Sequence, residues 1–101
     1  MKIRFQSMHV PCEFDAMQLN AVCYAIERFG DGCHPQPNAE TISDFGFRYV
    51  LRCTAKLATS TSHESVWTIA AFEALDKIKN AVNHNRAVRK FTDEGFKEMI
   101  T

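Results

Sequence analysis

Four soft metal ligands stand in two short runs, His9-Val10-Pro11-Cys12 and Cys33-His34. Zinc takes four such donors in a tetrahedron, and its usual signature sets paired ligands two to four residues apart. His9 and Cys12 meet that spacing; Cys33 and His34 are adjacent, which makes a shared tetrahedron awkward. A structural zinc on His9, Cys12, Cys33 and His34 is therefore the lesser reading, and no cofactor is expected. Cys23 and Cys53 fall on apolar faces and read as small core hydrophobes.

Catalytic arrangements fail one by one. Cys33 beside His34 suggests an activated thiolate, but side chains adjacent in sequence rarely point at each other. His63-Glu64 begins like a metalloprotease helix, which needs a second histidine where this chain has Trp67. Asp44-Phe45-Gly46 spells the kinase magnesium motif without a glycine-rich loop or a catalytic loop. No phosphate-binding loop or dinucleotide fingerprint occurs. The chain is not expected to be an enzyme.

A set of cations remains. Arg48, Arg52 and Lys56 recur every fourth residue, and Lys2 and Arg4 repeat at every second. Such groups bind acidic protein surfaces or phosphates, provided one element presents them together.

What that element is follows from hydropathy. Phe45, Phe47, Tyr49, Leu51, Cys53, Ala55 and Leu57 alternate with Gly46, Arg48, Val50, Arg52, Thr54, Lys56 and Ala58. Alternation over 45–58 predicts a half-buried antiparallel strand with one wet face, long enough to require a bend or bulge. Its cations would then line the outer sheet face at roughly 13 Å intervals. Lys2 and Arg4 would join them from a first strand over 2–10 that Pro11 ends.

The helices carry stronger local signals. Asp15 with Gln18 forms a capping box, Phe14 can staple onto Leu19, and Leu19, Val22, Cys23, Ile26 and Phe29 make one apolar face. Gly30 and Gly32 follow as stops, so a helix is predicted over 16–29. Residues 31–38 read as loop, 39–43 as a short strand. Thr61 with Glu64 predicts a second capping box. The helix behind it buries Trp67, Ala71, Ala74, Leu75, Ile78 and Val82, with Ile69 and Phe72 widening the stripe. Glu73 and Lys77 form an outer pair, and the helix ends near Asn83. In the tail, 87–91 reads as an edge strand, and Thr92 as the cap of a last turn that packs Phe96, Met99 and Ile100 back.

The order β–α–β–β–α predicts an α+β fold, a two-layer sandwich with both helices on one face of an antiparallel sheet. A final strand would make it a ferredoxin-like βαββαβ arrangement. One domain over 1–101 fits the length of 101 residues. Phe45-Gly46-Phe47 resembles the Phe-Gly-Phe centre of the RNP1 signature of the RNA-recognition-motif family, which implies exposed aromatics that stack on bases. Alternation opposes this, because rings in water would bury Arg48, Arg52 and Lys56 without partners.

Lys plus Arg and Asp plus Glu both count 12, so no net field draws the chain to nucleic acid or membrane. The first residues lack the apolar run of a signal peptide, and no window approaches a membrane span. Four cysteines without an export signal or glycosylation sequon predict a cytoplasmic protein with reduced thiols. The expected function is that of a small macromolecule-binding protein, an accessory factor or inhibitor. It would dock on a larger assembly through Arg48, Arg52, Lys56, Arg4 and Lys2. An acidic protein outranks nucleic acid as the partner, since no aromatic interleaves the cations. A homodimer would form if the long strand lay at a sheet edge.

Overall fold

The computed structural model describes residues 1–8, 10–32 and 37–82. Two strands of two residues each, β1 (Lys2–Ile3) and β2 (Cys12–Glu13), pair antiparallel as a hairpin, Ile3 opposite Cys12. Helices α1 (Ala16–Phe29), α2 (Phe47–Ala58) and α3 (Ser65–Val82) follow, with a short 3-10 turn over Ile42–Asp44.

This overturns the α+β sandwich and its ferredoxin-like variant. The described residues hold three helices and one two-stranded sheet. The error lies in residues 45–58, which form α2 instead of a strand. Phe47, Val50, Leu51, Thr54 and Ala55 repeat at three- and four-residue spacing and are all buried. Val50 and Thr54, which a strand would turn to water, are both 0% exposed. The expected strand over 39–43 is a turn leading into the 3-10 segment, and that over 2–10 shrinks to β1 and a bridge between Gln6 and Gly46. With no long strand, the edge-pairing argument for a homodimer lapses. The expected strand and last turn after residue 86 lie outside the described residues.

Local chemistry sets each helix end. Asp15 caps α1 as a full box: Gln18 N–H donates to Asp15 Oδ1 at 2.7 Å, and Asp15 N–H to Gln18 Oε1 at 3.1 Å. Helix α2 has no side-chain cap. One of its orphan donors is met by the N-terminal segment instead: Phe47 N–H donates to the Gln6 carbonyl at 3.1 Å, while Gln6 N–H donates to the carbonyl of Phe45 at 3.0 Å. The expected Thr61–Glu64 box does not cap α3. Its third and fourth amides, of Trp67 and Thr68, donate to the Glu64 carbonyl.

Small residues let the three helices approach closely. Ala21 and Ala25 of α1, Ala55 of α2, and Ala70, Ala71 and Ala74 of α3 are at most 2% exposed. Larger side chains fill the remaining space: Phe5 and Phe14 meet at 6.1 Å, and Leu51, Leu57 and Ile78 are fully buried in the same core. Each fully buried side chain of that size contributes about 1.5–3 kcal/mol. Among the described residues no helix is long and apolar enough to cross a membrane.

Burial also sets the thiol chemistry. Cys12 is 2% exposed and its Sγ donates to the Lys77 carbonyl at 3.8 Å. Burial pushes this thiol from 9.0 up to about 12, with the nearby Lys77 ammonium opposing weakly. Cys23 and Cys53 are raised by the same cause. A raised folded-state pKa gives stability that is complete below about pH 9 and is lost as pH climbs toward 12. Urea melts at pH 8, 9, 10 and 11 should show a falling midpoint, to which one thiol adds up to about 1.4 kcal/mol per pH unit. Cys12→Ala should flatten that fall relative to wild type.

Candidate functional site

Helix α2 is buried around most of its circumference, and the strip left to water is basic. Arg48 and Lys56 are exposed, Arg52 half-buried between them. Four-residue spacing on a helix places the three along one ridge, with steps of about 6 Å. The sequence-predicted cations therefore stay together. The sheet face expected to carry them does not exist, and their spacing is half that expected.

One of the three is held by its neighbours. The Arg52 guanidinium lies 5.1 Å from the centroid of the Tyr49 ring, a contact worth about 0.5–1 kcal/mol where exposed and more where water is excluded. Tyr49 is fixed in turn. Its ring stacks on Phe45 at 5.9 Å, its Oη accepts from Asp31 N–H at 3.1 Å, and its hydroxyl donates to Asp31 Oδ1 at 3.4 Å. Burial, with the Asp31 carboxylate nearby, raises the pKa of this hydroxyl above the ordinary phenol value. The Nε of Arg52 is buried without a hydrogen-bond partner. Arg48 packs at 5.9 Å from the Phe47 ring.

Gly30 completes the support. A Cβ at that position would meet both Tyr49 Oη and the Ile26 carbonyl, so the absence of a side chain lets α1 end against Tyr49. Gly30→Ala should cost about 1–3 kcal/mol by overpacking. Thermal melting would then show a midpoint lower by about 4–8 °C for each kcal/mol, with tyrosine fluorescence altered as Tyr49 leaves Asp31.

Lys2 and Arg4 belong to a different element from the other three cations. Both are exposed on the N-terminal segment, whose backbone bonds to the start of α2 are made by Gln6. Of the four soft ligands, only Cys12 lies among the described residues, and no cluster of three metal-ligating groups occurs among them. Cys12 borders an open cavity of about 330 Å³ lined by Val10, Pro11, Glu13, Lys77, Asn80 and Ala81. A thiol pushed up to about 12 is not a thiolate nucleophile at neutral pH.

Two arrangements escaped sequence reasoning. The Tyr49–Asp31 clamp spans 18 residues and follows from no local pattern. Ser60 Oγ and His63 Nδ1 are 2.7 Å apart in the turn before α3. His63 also packs edge-on against Tyr24 and Phe29, and Trp67 stacks on Tyr24 at 5.0 Å. These rings join α1 to the start of α3, so His63 and Trp67 here act as packing residues. No known family, curated protein or solved structure matches the chain.

Proposed function

We propose that the chain is a non-enzymatic protein-binding module, an accessory factor or inhibitor that docks its α2 ridge on an acidic surface of a larger assembly. The observation that carries this reading is the state of Arg52. Its guanidinium rests on a ring that is itself anchored, between two further cations. Arginine offers a planar fork that pairs with carboxylates in two parallel bonds. Holding that fork before contact removes ordering entropy that a free side chain would lose on binding.

The same ridge favours protein over nucleic acid. Among the described residues, Tyr49 is the half-buried aromatic at its margin, and its ring is already engaged with Phe45 and Arg52. Base stacking, the sequence-tolerant element of single-strand recognition, therefore has no free ring there. The proposal includes a cytoplasmic location, supported by the free thiols of Cys12, Cys23 and Cys53. The test is quantitative affinity capture from host extract with wild-type chain and with Arg48→Glu/Arg52→Glu. Capture must be lost with the charge reversal, and oligonucleotides at low salt must show no shift.

A further inference from the structure

The outer face of α3 divides in two along its length. Its N-terminal half carries Val66, Ile69 and Phe72, which are 47%, 60% and 59% exposed. Its C-terminal half carries Glu73 and Asp76, both exposed. The sequence pattern assigned Ile69 and Phe72 to the core stripe; the structure turns them to water instead. Beside them opens a cavity of about 310 Å³, lined by Ala58 of α2 and by Thr68, Ile69, Phe72 and Glu73. Side chains three and four apart are neighbours on a helix, so these form one continuous strip. Clustered apolar side chains left in water mark contact surfaces.

Charge narrows what the strip can hold. The expected Glu73–Lys77 pair is not made, since Lys77 Nζ donates to Gln18 Oε1 at 2.6 Å, toward α1. Lys79, further along the helix, is half-buried. The carboxylates therefore edge the apolar patch, and an occupant that supplies cations to them is favoured. An anionic lipid surface would be repelled. A second copy packed antiparallel about Ile69 would set Glu73 against Ser65 and Asp76 against the turn at Ser62, supplying no cation.

We propose that this strip is a second docking surface, shaped for a cationic amphipathic helix of a partner protein. That helix would place aliphatic side chains on Ile69 and Phe72, and Lys or Arg about one turn further along, near Glu73 and Asp76. It is a helix-on-helix mode read by anchors at three- and four-residue spacing. The surface is made of other residues than the α2 ridge and does not depend on it.

The probe is a synthetic helical peptide with leucines along its first two turns and lysines along the next two; a matched peptide carries glutamates instead of lysines. Anisotropy at physiological salt should show the lysine peptide binding the wild-type chain. Ile69→Ser/Phe72→Ser should weaken it about thirtyfold, the scale of losing a central anchor. Glu73→Lys/Asp76→Lys should weaken it comparably and turn the preference to the glutamate peptide. Arg48→Glu/Arg52→Glu should leave it bound. All four α3 substitutions are at exposed positions, and circular dichroism checks that each variant is folded. Equal affinity of the wild-type chain and both α3 variants would overturn the proposal. So would a wild-type chain that sediments as a dimer and becomes monomeric with Ile69→Ser/Phe72→Ser.

Discussion

Val50→Asp is expected to leave the chain unfolded at 25 °C, with its helical circular dichroism largely gone. Val50 is 0% exposed on the inner face of α2. The substitution removes about 1.5–3 kcal/mol of apolar burial and places a carboxylate where no partner waits. Together the cost exceeds about 5 kcal/mol, the upper end of single-residue effects. Domains of this size have about 5–15 kcal/mol in all. Lys56→Asp, at an exposed position of the same helix, should shift stability by no more than about 0.5 kcal/mol. The pair separates two geometries, because an alternating strand would set residues 50 and 56 on one wet face and tolerate both changes. A Val50→Asp chain that melts like wild type would place residue 50 in water and remove the helix.

The second large effect concerns binding. Arg48→Glu/Arg52→Glu should lower affinity for the captured partner by about 3–4 kcal/mol, or a few hundredfold. Each reversal replaces attraction with like-charge repulsion, and the change at Arg52 also removes the fork resting on Tyr49. Loss of the half-buried Arg52 contact with Tyr49 should lower stability by about 1 kcal/mol, and circular dichroism checks that the double variant is folded. Tyr49→Ala is the subtler companion. It keeps all three charges but frees Arg52, so affinity should fall by less and mainly through faster dissociation. Capture of the partner by the folded double variant at wild-type strength would rule the ridge out.

Which parts of this fold could be read from residues alone depends on how local their causes are. Helix α1 was fully legible, because Asp15, Gln18 and Gly30 act within a few residues of where they stand. Residues 45–58 were not, because they satisfy two periods at once. Phe47, Leu51, Ala55 and Leu57 suit an alternating face, while Phe47, Val50, Leu51, Thr54, Ala55 and Ala58 suit a helical one. Two signals favoured the helix. Fourteen residues exceed an ordinary strand, and cations at every fourth position trace a helical ridge as well as an alternate one. The wrong element still kept the same cations together, since 48, 52 and 56 share a face in either conformation.

Other features follow from tertiary contact alone. Ile69 and Phe72 belong to the apolar count of α3, yet Ala70, Ala71, Ala74 and Ile78 already fill the space against α1 and α2. Helix α3 therefore presents the two larger side chains outward. Lys77 leaves Glu73 for Gln18, a partner 59 residues away. The clamp of Asp31 on Tyr49 likewise joins the loop after α1 to the exposed margin of α2.

Amide NMR of the intact chain reports most directly on the geometry that aligns these guanidinium and ammonium groups. A continuous series of Hα-to-amide contacts three residues apart from Phe47 to Ala58, with helical carbon shifts throughout, is the result expected. Cross-strand backbone contacts from residues 50–58 to residues 2–10, with extended-chain shifts at Val50 and Thr54, would contradict it.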